Sequence, residues 1–198
     1  RYLGGRPLPA FAGVRPDFAE IEARLALAEG KAHIVVVGNG GSIRNVWALY
    51  GALAGGGAAR ELHLLDGTDP SGLFGELAAG GGRFSPANTL VVSVSKSGDT
   101  ENVVQETRLL AERGYPVLAV IGPGPSKLTA LAEEKGFDRF PHPEEVGGRF
   151  TAGQNNALLP LSLALGGADA ARAVNAVFEE AHSRLATSVS PAGNMATA

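Results

Sequence analysis

Five short runs that read as strands, the first apolar and β-branched, constrain this chain more than any other feature. They are His33-Ile34-Val35-Val36-Val37, Glu61 to Leu65, Thr89 to Val94, Pro116 to Ile121 and a shorter run from Phe137 to Phe140. The first and third lack polar alternation, as strands do when both faces of a parallel sheet are covered. Helical spacing fills the intervals. Asp17 to Glu29 carries Phe18, Ile21, Leu25 and Ala28 on one face, with Asp17 after Pro16 as an N-cap. Helices are expected next at Ile43 to Leu53, Pro70 to Ala79, Glu101 to Glu112 and Ser126 to Lys135, the last two closed by Gly114 and Gly136. Two more follow at Ala152–Leu165 and Asp169–Leu185. Strands alternating with helices predict an α/β fold: a doubly wound parallel sheet with helices on both faces, flavodoxin-like in layout.

Residues 1–16 are Gly- and Pro-rich and read as an irregular N-terminal segment; 17–185 read as one domain; 186–198 read as a tail leading towards further chain. The chain begins at Arg1 and not at Met, so it is expected to start inside a longer product. The absence of Cys excludes a disulfide scaffold, a thiolate nucleophile and a Cys-ligated metal. A net charge of −3, with no Lys/Arg cluster, gives no electrostatic basis for a nucleic-acid partner. No apolar run approaches the ~20 residues of a membrane span, and the N-terminus has no apolar signal core. A cytoplasmic location is therefore expected. Gly supplies 28 of the 198 residues, about twice the usual ~7%. The glycines fall between the apolar runs, as tight strand-to-helix turns require.

Ligands of an open parallel sheet bind beyond the carboxyl ends of its strands, where the strand order reverses. Three loops expected there are unusual. Gly38-Asn39-Gly40-Gly41-Ser42 allows close backbone approach to an anion at a helix N-terminus, or is simply a tight turn. Ile43 occupies the place of a third dinucleotide-fingerprint Gly, and no Gly-Lys-Ser/Thr follows, so no nucleotide cofactor is expected. Ser95-Lys96-Ser97-Gly98-Asp99-Thr100 gathers three hydroxyls, a Gly and a Lys between a strand and a helix. A cap needs one hydroxyl; three suggest a nest for a phosphate dianion. In Glu144-Glu145-Val146-Gly147-Gly148-Arg149-Phe150-Thr151, Arg149 either reaches a ligand anion or pairs with a neighbouring Glu. His33, His63, His142 and His182 show no spacing such as His-x-x-x-His, so no metal is expected. His142 alone is expected near the crevice, as a structural group in preference to an acid–base one. Glu144 and Glu145 are read as solvated or paired in preference to serving as a base. Trp47 is read as core of its helix.

Taken in order, Gly-Asn-Gly-Gly-Ser, Ser-Lys-Ser-Gly-Asp-Thr and Val-Gly-Gly-Arg-Phe-Thr resemble the motifs of the glucose-6-phosphate isomerase family, in the first of its two sugar-isomerase (SIS) domains. Leu65 to Pro70 and Leu158 to Ala164 also resemble family segments, so the resemblance covers about residues 31–180. It implies an SIS-type fold, a phosphosugar substrate, no cofactor, a homodimer and a place in glycolysis and gluconeogenesis. By position, Ser95, Lys96, Ser97 and Thr100 would hold the sugar phosphate, with the backbone of Gly98 and Asp99. Gly41 and Ser42 would touch the substrate, and Arg149 would stabilise the cis-enediol(ate). The family's base, ring-opening His and a further Lys belong to segments that do not occur here. Asp99 sets a negative charge beside the nest unless it points outward as a helix cap. Arg44 is an extra phosphate contact or, by preference, solvated. Two alternatives stay open: a stand-alone SIS module that binds a phosphosugar without isomerising it, and an isomerase of the arabinose- or heptulose-phosphate type, against which the Gly-Gly-Arg element argues.

Overall fold

A computed structural model of the chain describes residues 9–188 apart from 68, 70, 71, 80 and 81. Most of the expected N-terminal segment (1–8), most of the expected tail (189–198) and Pro70 lie outside the described residues. Strands β1 (His33–Gly38), β2 (Glu61–Leu65), β3 (Thr89–Ser95), β4 (Val117–Ile121) and β5 (Asp138–Pro141) form one parallel sheet in the order β2-β1-β3-β4-β5. That is the flavodoxin-like order, and it reverses between β1 and β3.

Every residue of β1, β3 and β4 is buried, and the period of two divides them between the faces. Ile34, Val36, Leu90, Val92, Leu118 and Val120 meet α1 (Phe18–Ala23), α2 (Gly41–Leu53), α6 (Asn155–Leu165) and the start of α7 (Asp169–Ser188). Val35, Val37, Val91 and Val117 meet α3 (Leu73–Ala79) and α4 (Glu101–Glu112). Ala119 and Ile121 meet α4 and α5 (Lys127–Lys135). Helix α6 has nine of its 11 residues buried, so the apolar Leu158–Ala164 stretch is core of this chain and not a free face. A helix apolar all round belongs inside.

Some expectations need correction. The helix expected over 17–29 breaks at Arg24. Asp17 caps α1 as expected, accepting the Glu20 N–H at 3.0 Å. The chain then tightens into a 3₁₀ turn over Leu25–Ala28. Arg24 bonds Glu20, the Arg139 carbonyl (3.0 Å) and Asp138 (3.4 Å), and lies over the Phe140 ring. The tighter turn buries Ala28 fully and offers its carbonyl to Arg60 Nε at 2.9 Å. Trp47 is 50% exposed and stacks on Tyr50. The helical step carries it off the buried face of Ile43 and Val46. Helix α6 begins at Asn155, not Ala152, because Gln154 takes the extended N-cap position. Helix α7 runs on to Ser188, into the expected tail.

Leu158→Ala should lower stability by ~2–5 kcal/mol through cavity formation, whereas Trp47→Ala should cost under ~1 kcal/mol. Urea-denaturation midpoints compare the two; equal losses would contradict this division of core and surface.

Candidate functional site

The register sets Gly38 opposite Val94, so β1 and β3 end level. Each runs at once into a helix: β1 through Asn39 and Gly40 into α2, β3 through 96–100 into α4. Neither helix has a side-chain cap bond at its N-terminus. Their first N–H groups and positive dipole ends are therefore available to an anion. A cleft of about 410 Å³ opens here, lined by Asn39, Ser42, Ser95, Lys96, Ser97, Thr100 and Glu144, with Val94 and Pro123.

Hydrogen bonds shape the Ser95–Thr100 loop from within. Ser95 Oγ accepts the Gly98 N–H at 3.0 Å and pairs with Thr100 Oγ1 at 3.2 Å. Ser97 Oγ accepts the Asp99 N–H at 3.2 Å. Gly98 stands at φ +69°, and a Cβ there would lie 2.0 Å from Ser126 Oγ, so only Gly fits. The Asp99 carboxylate accepts the Lys127 N–H at 3.0 Å, at the start of α5. Its charge thus caps α5 and is turned from the nest. Glu101 pairs with Lys127 Nζ at 2.5 Å. Lys96 is exposed and, among the described residues, forms no ion pair.

The Gly-Gly-Arg turn docks on the first loop. A Cβ on Gly41 would lie 2.7 Å from Arg149 Cα, so the backbone of the 3₁₀ turn Gly148–Phe150 sits directly on the first residue of α2. Asn45 Nδ2 donates to the Gly148 carbonyl (3.0 Å), Thr151 Oγ1 donates to the same carbonyl (2.8 Å), and Asn156 Nδ2 donates to the Ser42 carbonyl (3.1 Å) and to Thr151 Oγ1 (2.9 Å). The Arg149 side chain, however, lines a neighbouring groove of about 170 Å³ with Phe11, Phe150, Phe178 and His182. Of the expected site residues, Ser42, Ser95, Lys96, Ser97 and Thr100 line one cleft. Gly41 and Gly98 act as spacers behind it, Asp99 faces α5, and the Arg149 side chain lies in the neighbouring groove.

Other residues escaped sequence reasoning. Asn39 and Asn102 exchange two amide hydrogen bonds, at 2.9 and 3.0 Å, and tie the first two loops together. Glu106, one turn along α4 from Asn102, is fully buried with neither carboxyl oxygen hydrogen-bonded. Burial pushes its pKa up to about 7; the Asn102 amide pulls it down and the Asp66 charge pushes it up further. In sequence, Glu106 reads only as one acid of a helix. Arg44 is solvated, as preferred, with its side chain 68% exposed and paired with Asp66 at 2.5 Å, outside the cleft lining. His142 is 1% exposed and donates from Nδ1 to the Pro143 carbonyl at 3.0 Å. Burial holds its pKa down, the bond to Pro143 pulls it up, and the Lys96 charge pushes it down; a structural role fits this setting. Glu144 lines the cleft and Glu145 does not. The expectation of no metal rested on spacing along the chain, and the sheet overrides that spacing: His33, Glu61 and His63 converge at the other end of β1 and β2.

No protein-family model matches the chain. It is 33% identical over 144 residues to a glucose-6-phosphate isomerase of Thermus thermophilus, covering 68% of this chain and 33% of that protein. The Synechococcus elongatus glucose-6-phosphate isomerase is 35% identical over 144 residues, covering 69% of this chain and 26% of that protein. That of Rubrobacter xylanophilus is 30% identical over 180 residues, covering 79% and 40%. The chain therefore spans a third of the length of the first of these relatives. Among solved structures, a hypothetical protein from Thermus thermophilus is similar with a TM-score of 0.72 and 28% identity, over 88% of this chain and 41% of that one. The tagatose-6-phosphate ketose/aldose isomerase of Escherichia coli, at 15% identity and a TM-score of 0.55 over 86% and 49%, shares the fold. The resemblance to the glucose-6-phosphate isomerases thus extends over most of the chain, and the fold is that of the SIS phosphosugar-isomerase domains.

Glu106 sets a pH dependence. An acid whose folded pKa is raised favours the folded state while protonated. That contribution is full below pH 4.5 and is lost as pH rises through about 7. Glu106→Gln should therefore be near neutral at pH 5 and stabilising by ~1–3 kcal/mol at pH 8.5. Urea denaturation at both pH values checks this; a difference independent of pH would contradict it.

Proposed function

We propose that this chain, a relative of the glucose-6-phosphate isomerases, forms the phosphosugar-binding SIS domain of an aldose–ketose isomerase. The reaction is the interconversion of glucose 6-phosphate and fructose 6-phosphate through a cis-enediol(ate). One observation carries the reading: at the β1/β3 reversal, two helix N-termini without side-chain caps, four hydroxyls and Lys96 converge on one cleft. A phosphate dianion matches that set, because each group donates a hydrogen bond or positive charge. Ser97, Thr100 and Lys96 hold the phosphate, and the sugar carbons extend past Ser42 towards the Gly41–Arg149 junction. Arg149 then moves its guanidinium from the groove to the cleft edge, where negative charge develops on the enediolate. Moving the proton from C2 to C1 needs a carboxylate base, which the resemblance places in the family's second SIS domain. Homodimer formation and a cytoplasmic location belong to the same reading. Trp47 and Phe150, 50% and 54% exposed, support self-association. Among the described residues, no helix is long and apolar enough to cross a membrane.

One observation favours the second reading, a module that binds a phosphosugar without isomerising it: Arg149 lines the neighbouring groove and not the cleft.

Ser97→Ala and Thr100→Ala should each weaken fructose 6-phosphate binding by ~1–3 kcal/mol, the range for a hydrogen bond to a charged group. Calorimetric titration measures this, and unchanged affinity in both variants would remove the phosphate nest. In the complete two-domain protein, Arg149→Ala should lower kcat far more than it raises KM. If, in that complete protein, the C2 proton of bound glucose 6-phosphate never exchanges with deuterated solvent, and Arg149→Ala leaves binding unaltered, the binding-module reading holds instead.

A further inference from the structure

The amino ends of β1 and β2, at the edge of the sheet opposite the cleft, carry a second constellation. The parallel register sets His33 beside Glu61 and Val35 beside His63. Residues two apart on a strand share a face, so both imidazoles and the Glu61 carboxylate come together. His33 Nδ1 and His63 Nε2 are 3.3 Å apart. Glu61 Oε2 lies 3.7 Å from the first and 3.6 Å from the second. Phe84, 1% exposed, meets both imidazoles edge-on at 4.9 and 5.0 Å and fixes their ring planes. The imidazole side chains are only 9% and 14% exposed, while that of Glu61 is 59% exposed. A surface cleft of about 440 Å³, lined by His63, Arg83 and Phe84 among others, reaches the cluster.

Bonds of ~2.0–2.1 Å in a tetrahedral zinc site place neighbouring ligand atoms ~3.3–3.4 Å apart. The three separations observed run from 3.3 to 3.7 Å, so small rotations bring all three atoms onto one ion. We propose that His33, His63 and Glu61 form a binding site for a divalent ion of the zinc class, with water in the fourth position towards solvent. Two imidazoles and a carboxylate are a ligand set that zinc takes, and imidazole suits it over the hard cations. The competing account is a His–His hydrogen bond that satisfies two covered rings, with Glu61 belonging to Arg83. It explains the 3.3 Å contact, but not why Glu61 Oε2 is nearly equidistant from both nitrogens. Arg83 bonds the same Oε2. It would remain on the carboxylate as an orienting partner, while its charge opposes the ion.

The two accounts diverge on Arg83. The metal-stripped protein is titrated with Zn²⁺ by calorimetry and with Co²⁺ by visible absorption, with far-ultraviolet circular dichroism confirming the fold of each variant. The site predicts one ion per chain and a tetrahedral Co²⁺ spectrum. His63→Gln should lose at least tenfold in affinity, and Glu61→Gln, at an exposed position that tolerates change, should also lose at least tenfold. Arg83→Gln should gain severalfold, because the opposing charge is gone. Absence of stoichiometric binding, unchanged affinity in folded Glu61→Gln, or no gain in Arg83→Gln would each overturn the proposal. Should His63→Gln not fold, the Glu61 and Arg83 variants decide it.

Discussion

The cleft depends on one steric allowance: Gly41 has no side chain. The Arg149 backbone occupies the volume a Cβ would take, 2.7 Å from its Cα. That contact fixes the Gly148–Phe150 turn against the N-terminus of α2, and Asn45, Thr151 and Asn156 lock it with hydrogen bonds to the Gly148 and Ser42 carbonyls. Any larger residue at 41 would lift the turn away and separate Arg149 from the helix end beside which an anion would sit. The segment between β5 and α6 is therefore held to the first loop by backbone proximity and amide bonds, not by an ion pair.

Charge is arranged around this contact so that the cleft keeps its donors. Asp99 is committed to the N-terminus of α5 and Glu101 to Lys127. Arg44 is likewise committed to Asp66, outside the cleft lining. What faces the cavity is Lys96, Asn39, the hydroxyls and the first turns of α2 and α4, with Glu144 as the carboxylate in its lining. An anion is stabilised there without a buried cation having to be desolvated in the empty state. The Asn39–Asn102 amide pair holds the two helix starts at a set distance.

The sheet was legible because β1 and β3 are apolar without alternation, which only two-sided burial explains. The Asp17 cap was legible because capping is local; it accepts the Glu20 N–H three residues on. The Ser95–Thr100 loop was legible as part of a cleft because its three hydroxyls lie within six residues between a strand and a helix. What escaped depends on contacts remote in sequence. The break at Arg24 rests on Asp138, Arg139 and Phe140, over a hundred residues away. The Asn39–Asn102 pair spans 63 residues. His33 and His63 lack metal spacing along the chain, yet they are cross-strand neighbours. Trp47 was misplaced because apolar neighbours in a helix do not fix which side the core lies on. The direction of Asp99 depended on where α5 begins in space.

The most direct measurement is a crystal structure of the protein with fructose 6-phosphate bound. The account predicts the phosphate in the cleft between β1 and β3, within hydrogen-bonding distance of Ser97, Thr100 and the first N–H groups of α2 or α4. A phosphate seated elsewhere, such as in the groove of Phe11, Arg15 and Phe178, with the cleft holding solvent alone, would contradict it.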